Sequence, residues 1–396
     1  IYVPTHIEGS NLGDDSKNYY FLEKYTLQGE LLWKSEKIGT SDYTATSALD
    51  LTESGDLVWA ISSVGYEVEK PANLFKINAE NGEDIWESRH YIGELSDIAI
   101  NGDEFYLVGK NAAGIDPNRV ALINNFNIES GEQVWQKVYP NHANFRSIYI
   151  EGDKIFVTST IYGKVDFDNA IAGCLDLEGN EIWWTEFESN DWNSITDGIV
   201  VGDQFIAVGY QADGGDRQDS RAISFDINTG EMLWNTKWGD DNSQFSKSIE
   251  YLNGKIYIAS MDTGTAWGSD DIAKQTGFTT ITEISENGEI INEEKYDIAN
   301  TSDHVNSLIK INNSLYLTSD AANTSHHNDG YTTFLTSVIG GQKETPKDQI
   351  TFNQENWDKP QEIRIRYDSY EDLPPESLQL DFKNTSSSEE LRNITI

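Results

Sequence analysis

The sequence predicts an all-β chain: a β-propeller of four-stranded blades, followed by part of a second β module. Three recurring markers predict it. A Gly followed four residues later by Trp recurs at Gly29/Trp33, Gly82/Trp86, Gly131/Trp135, Gly179/Trp183 and Gly230/Trp234. A sixth copy keeps Gly288 and carries Asn292 where the others have Trp. By subtraction of their numbers, these glycines lie 53, 49, 48, 51 and 58 residues apart. Roughly twenty residues after each comes a turn feeding an alternating apolar strand: "SGDLVWAIS", "NGDEFYLVG", "EGDKIFVTS", "VGDQFIAVG", "LNGKIYIAS" and "INNSLYLTS". The third marker is an alternating strand before the Gly, as in "NLFKINAE" and "AISFDINT". A repeat of this period marks stacked supersecondary units, and turn residues between alternating runs mark hairpins.

Each unit therefore holds four short strands, A to D in chain order. In one unit A is "LSDIAI" and B is "EFYLVG"; C is "NLFKINA" and D is "EDIWES", each D preceding the next A. Such units read as propeller blades. A solenoid of hairpins is the alternative, and the complete antiparallel meander in each unit favours the propeller. Residues 1–37 supply B, C and D of a first blade through "IYVPTH", "YYFLEKY" and "ELLWKSE". Five full sets follow, ending near "NEEKYD", and residues 305–338 supply A, B and C. The missing D and A are the pair that would immediately precede Ile1. The expectation is a seven-bladed ring closed by about 20–30 residues upstream, the length of two strands and their turns. The opening "IYVPTHIEG" is no signal peptide and lacks an initiator Met, so the chain is expected to be a piece of something longer.

Charge and cysteine content narrow the function classes. With 28 Lys+Arg against 67 Asp+Glu, the formal charge is −39. Such a surface repels phosphate backbones, which argues against nucleic acid as a partner. Cys174 is the single cysteine, so neither an intrachain disulfide nor a cysteine zinc cluster is available. No apolar run approaches the length of a membrane helix. This composition suits an extracellular or cell-surface bacterial protein.

On the strength of the Gly and Trp positions, residues 1–338 resemble the bacterial β-propeller repeat family, whose units read D-x-x-G-x-x-x-W…G-x-x-x-Y-V-x-G. The stretch "DINTGEMLW", residues 226–234, is also similar to the docking motif of the pyrroloquinoline-quinone (PQQ)-like repeat superfamily. That superfamily holds both redox enzymes and outer-membrane assembly scaffolds without enzymatic activity. The dehydrogenases typically set two adjacent cysteines against the cofactor, which this chain lacks. The resemblance therefore implies the scaffold type. Trp33, Trp86, Trp135, Trp183 and Trp234 are expected to bury their rings between adjacent blades, with each Gly supplying a turn that other residues resist.

After residue 338 the repeat stops in a Gly/Lys/Pro linker, residues 339–349. Residues 350–368, "ITFNQENWDKPQEIRIRYD", then resemble a segment of extracellular Calx-β-like sandwich modules. Phe352, Asn356, Trp357, Pro360 and Gln361 match that module's phrase, and Ile363 and Ile365 continue its alternating strand. Residues 350–396 are read as a partial β-sandwich module. The resemblance implies a large secreted, often calcium-binding, surface protein.

In an antiparallel blade the B–C and D–A loops emerge on one face. The B–C loops are the longer and more acidic, as in "QADGGDRQDS" and "DTGTAWGSDDIAKQTG", and long loops on a rigid scaffold are where binding usually resides. Asp213, Asp216 and Asp219 offer three carboxylates within one such loop, and Asp166 and Asp168 offer two, as candidate calcium ligands. Calcium asks for six to eight oxygens and no loop has EF-hand spacing, so a solvated acidic loop is the favoured reading. Strand A lies nearest a propeller's axis, which makes Tyr43, Phe145, Trp192 and Phe245 candidates for a channel mouth that stacks on a sugar or grips a peptide. Packing between blades is the alternative for these four. His326 and His327 with Asp329 have poor ligand geometry in a polar loop. No G-x-S-x-G is present, which leaves the nucleophile-elbow route to a hydrolase without support.

These observations predict a non-enzymatic structural or adhesive propeller that meets a protein or glycan through its B–C/D–A loop face, alongside flanking domains of the same polypeptide. No cofactor is required, with calcium left open. The alternative is a propeller enzyme acting on polysaccharide through acidic residues near the axis.

Overall fold

The computed structural model describes residues 2–8, 18–26, 30–39, 45–63, 72–111, 120–162, 168–187, 193–212, 218–240, 242–263, 277–296, 303–311, 313–322, 331–339, 379–380 and 394–395. The chain divides into two compact units, Ile1–Gly341 and Gln342–Ile396. In the second, β27 (Gln379–Leu380) pairs antiparallel with β28 (Ile394–Thr395). Residues 350–368, which carry the sandwich resemblance, lie outside the described residues.

The first unit is all-β, and its described strands form consecutive antiparallel meanders. A three-stranded sheet of β1 (Tyr2–Glu8), β2 (Asn18–Tyr25) and β3 (Leu31–Gly39) comes first. Four-stranded sheets follow: β4 (Ala45–Leu51), β5 (Leu57–Ser63), β6 (Ala72–Ile77) and β7 (Asp84–His90); then β8 (Glu94–Asn101), β9 (Glu104–Lys110), β10 (Ala121–Asn127) and β11 (Gln133–Tyr139). The fourth sheet is β12 (Asn144–Glu151), β13 (Lys154–Tyr162), β14 (Asp168–Asp176) and β15 (Glu181–Phe187). The fifth is β16 (Asn193–Val201), β17 (Gln204–Ala212), β18 (Gln218–Asp226) and β19 (Met232–Trp238). The sixth is β20 (Gln244–Leu252), β21 (Lys255–Asp262), β22 (Phe278–Ile284) and β23 (Ile290–Tyr296). A three-stranded sheet of β24 (Asp303–Ile311), β25 (Ser314–Ala322) and β26 (Tyr331–Ile339) ends the series. The strands fall in the A-to-D order that the sequence predicts. Among the described residues no helix is long and apolar enough to cross a membrane, which says nothing of a β-barrel.

The core is distributed along seams, each built by two consecutive sheets. Val58, Leu74, Phe105, Leu107 and Phe126 form one; Val108, Ile123, Phe145 and Val157 form the next; Phe156, Phe205 and Phe225 a third. B strands are sandwiched on both faces and read as near-continuous apolar runs, as in the buried centre of β9. D strands lie at the sheet edge and alternate exposed with half-buried side chains, as β7 does. The A strands β4, β8, β12, β16, β20 and β24 pack each against the next, which makes them the innermost strands of the propeller.

The Gly–Trp marker is a latch between neighbouring sheets. Trp183 on β15 is buried and donates from Nε1 to the Ile227 carbonyl in the C–D turn of the next sheet, at 3.1 Å. The same bond joins Trp33 to Ala79, Trp86 to Ile128 and Trp234 to Glu286. Two residues on, a hydroxyl donates to the carbonyl of the turn glycine: Ser88 to Gly131, Thr185 to Gly230 and Thr236 to Gly288. In the seam that Trp135 lines, Tyr139 donates its hydroxyl to Gly179 instead, at 2.7 Å. The glycine is required twice. Gly230 has φ +70°, and a Cβ there would lie 2.5 Å from Trp183 Cε3. Asp226 folds the turn by accepting the amides of Asn228 and Thr229, as Asn78 and Asn127 do in their own turns.

Candidate functional site

The inner strands carry the chemistry that packing alone does not absorb. Five of them contain a β-bulge at one level, each inserting a single residue: Ser96 in β8, Arg146 in β12, Thr196 in β16, Lys247 in β20 and Asn306 in β24. A bulge leaves its extra residue outside the ladder and re-aims it. Ser96 Oγ donates to Asn144 Oδ1 and Thr196 Oγ1 to the Ser246 carbonyl, so both reach the start of the next inner strand.

The residue after each bulge is polar, and in β8, β16 and β20 it reaches the neighbouring sheet. Asp97 Oδ2 accepts the Ile148 amide at 2.9 Å while its Oδ1 accepts the Ile98 amide at 2.8 Å. Asp197 likewise takes the amides of Ile249 and Gly198, and Ser248 Oγ takes that of Leu308. Asp50 on β4 accepts from Ile100 and Leu51. These side chains accept backbone amides of the inner strands, which are edge strands and present a row of donors outside the ladder.

Burial raises all of these carboxyls. It pushes Asp97 up to about 7, with Asp197 and Asp50 adding repulsion and the Ile148 amide opposing. Burial lifts Asp197 to about 6 against the amides of Gly198 and Ile249, and it raises Asp50 in the same direction. Glu250 is pushed by burial to about 7, with Asp197 adding and Lys310 opposing. Asp97, Asp197 and Glu250 thus stand on the inner strands β8, β16 and β20 of three sheets.

Of the four residues weighed for the channel mouth, the two that are described take the alternative, packing between sheets. Phe145 is fully buried, its ring 5.1 Å from Tyr139 and stacked at 6.0 Å on Trp184. Phe245 is buried edge-on to Tyr210 at 4.9 Å. Both rings fill seams between sheets rather than presenting a face to a ligand, because each precedes a bulge and stays in the apolar register. Tyr43 and Trp192 lie outside the described residues. So do Asp166, Asp213, Asp216, His326, His327, Asp329 and most of every B–C loop. Asp219 is buried on β18, and its Oδ2 pairs with Lys237 Nζ at 3.1 Å. Asp168 begins β14. Among the described residues no group of three or more His, Cys, Asp or Glu is arranged to hold a metal ion. Cys174 is buried, and that burial pushes its thiol up to about 12, which leaves it inert.

Sequence reasoning passed over Asp97, Asp197, Arg146 and Lys247. The available signal was weak: a polar or charged pair ("SD", "RS", "TD", "KS", "NS") interrupting each A strand at the same distance from its B strand.

Sheets latched by Trp onto Gly, with A strands innermost, define a repeat propeller. Residues 23–270 match the family described as outer membrane protein assembly factor BamB, and the chain belongs to that family. Similar solved structures include BamB from Moraxella catarrhalis, 12% identical, with a TM-score of 0.39 over 85% of this chain and 99% of that one. The Pan2 WD40 domain of Neurospora crassa is 9% identical, with a TM-score of 0.49 over 77% and 82%. A quinohemoprotein alcohol dehydrogenase of Pseudomonas putida HK5 is 10% identical, with a TM-score of 0.43 over 78% and 61%. No curated protein matches the chain.

Proposed function

We propose that this protein is a non-enzymatic propeller scaffold of the bacterial cell envelope or surface, which holds a protein or glycan partner on its B–C/D–A loop face. One observation carries the reading: the acids of the inner strands are already engaged. Asp97 and Asp197 each accept two backbone amides, one from the adjoining sheet. A carboxylate fixed in that way serves the seam and is poorly placed to move a proton or attack a sugar. Membership of a family described as an outer membrane assembly factor supports an envelope setting. In the same reading the ring has seven blades, the C-terminal unit is part of a sandwich module, and the acidic loops are solvated.

The second reading is a propeller enzyme acting on polysaccharide. It is favoured by one observation, two carboxyls raised by burial to about 7 at Asp97 and about 6 at Asp197, with the Asp197 charge adding to the rise at Asp97. That is the kind of acid pair that glycoside hydrolysis uses.

The two readings are separated by photo-crosslinking in the producing bacterium, with the probe placed in the B–C loops or in the A–B turns at Asp103, Asp153 and Asp203. The scaffold reading expects discrete adducts from the loops and none from the turns. Adducts from the turns alone, or polysaccharide cleavage by the purified chain, would overturn it.

A further inference from the structure

The short D–A loop between β11 and β12 buries a histidine in an aromatic box, in the seam between the third and fourth sheets. His142 is 6% exposed. Its ring lies 4.1 Å from Trp184 of β15 and 6.0 Å from Phe145 of β12, and Tyr139 of β11 meets it edge-on at 6.3 Å. The loop is pinned on both sides of the ring. The Ala121 amide donates to the His142 carbonyl at 2.7 Å, and the Ala143 amide donates to the Thr160 carbonyl at 2.8 Å. Trp184 follows the latch residue Trp183, a doubling that the other described D strands lack. Gly173 pairs with Trp184 and leaves it room, since a Cβ at Gly173 would overlap the indole.

Two buried nitrogens of this box have no hydrogen-bond partner, Nδ1 of His142 and Nε1 of Trp184. Orphaned polar atoms in a native interior call for a role. His90, at the end of β7, shows the contrast. It meets Phe126 edge-on at 4.9 Å, but its Nε2 lies 2.9 Å from the Gly131 carbonyl.

Protonation decides whether the ring fits. A neutral imidazole can turn its lone pair inward at Nδ1 and keep its proton at Nε2, whereas the cation carries a proton on both nitrogens. The proton on Nδ1 would then be buried among aromatic rings with no acceptor. The Trp184 face attracts a cation, but it offers that proton no oxygen. Burial holds His142 below the ordinary histidine value, against the pull of Glu181 and Glu186 of β15, the charged groups that act on it. From β11, Lys137 spends its ammonium on the Glu178 carbonyl and Asn180, and Tyr139 stays neutral, its phenol raised by burial and its hydroxyl given to Gly179. Phe145 faces the ring from β12, while β10 and β13 meet the loop through the backbone bonds above.

We propose that His142 is an acid-sensitive fastener of this seam: as a neutral ring it closes the aromatic box, and on protonation it leaves, freeing Trp184 and the loop between β11 and β12. The unfolded chain takes up the proton near about 6.5 while the fold resists it, so the seam is firm above that value and weakens as pH falls through it. This sign is opposite to that of the raised acids Asp97 and Asp197, which the fold protonates more readily than the unfolded chain does. The device belongs to the seam and stands whether or not a partner occupies the loop face.

The test is hydrogen exchange of the 396-residue chain, read by mass spectrometry at about pH 7.5 and about pH 5.5 and corrected for intrinsic rates. Protection over residues 139–145 and 181–187 is expected to fall about tenfold at the lower pH. His142→Phe keeps a neutral ring in the box and should hold its protection at both values, while His90→Gln should lose it as the wild type does. If His142→Phe does not fold, nuclear magnetic resonance of the wild-type chain with labelled histidine carries the test. The histidine ring in contact with an indole should then titrate below about 6.5. Equal wild-type protection at the two pH values, an equal fall in His142→Phe, or titration of that ring at or above about 6.5 would overturn the proposal.

Discussion

Replacing Gly230 by Ala tests the latch between sheets through two separable costs. The first is conformational: φ at Gly230 is +70°, where an L-residue costs about 1–2 kcal/mol. The second is steric. The new Cβ would lie 2.5 and 2.6 Å from Cε3 and Cδ2 of Trp183, and such crowding in a packed seam costs about 1–3 kcal/mol. Gly202 in the same sheet supplies the control. Its φ is +59° but nothing lies within 4 Å of its Cβ position, so Gly202→Ala should show the conformational cost alone. Urea unfolding followed by tryptophan fluorescence and circular dichroism measures both. Gly230→Ala is expected to cost about 2–5 kcal/mol and Gly202→Ala about 1–2 kcal/mol. In a Trp183→Ala background, itself about 3–5 kcal/mol less stable, Gly230→Ala should fall to the cost of the control. Equal costs for the two glycines, or a coupling to Trp183 below about 0.5 kcal/mol, would refute the latch.

Three further outcomes follow from the same structure. The Asp97 carboxyl titrates near 7 in the fold against about 3.9 when unfolded. The fold therefore binds the extra proton, and this contribution is complete below pH 4 and lost as pH rises through 7. The stability difference between wild type and Asp97→Asn should accordingly change between pH 4 and pH 7; a difference flat across that window would contradict the buried-acid account. Thr236→Val removes a 2.6 Å bond to the Gly288 carbonyl and should cost about 1 kcal/mol in urea unfolding. Leu233→Ser, beside Trp234 but half exposed, should stay within about 0.5 kcal/mol of wild type.

The repeat was legible because its residues act locally. Asp226 folds a turn, Gly230 occupies the backbone region open to glycine, and Trp183 supplies the ring that the turn receives. Each role depends on spacing along the chain, so the strand order and the division into sheets followed from the pattern. The inner site was less legible. A bulge adds one residue and reverses which side chains face inward, and the polar pair at a fixed distance from each B strand is a weak mark of where that happens. Phe145 and Phe245 drew attention as aromatics at the start of A strands, yet they pack inward. The bulges bring out Arg146, next to Phe145, and Lys247, two residues past Phe245. The raised carboxyls of Asp97 and Asp197 depend on burial, and that of Asp97 also on the Asp197 charge, which are properties of the assembled fold.

The most direct test of the scaffold account is partner capture by the double variant Asp97→Asn/Asp197→Asn. Asn keeps an acceptor oxygen for the amides of Ile148 and Ile249 but offers no acid. Loop-face crosslinking in cells should give the same adducts at the same yield as the wild-type chain. Lost adducts from a folded double variant, together with polysaccharide cleavage by the wild type alone, would contradict the account and identify an enzyme.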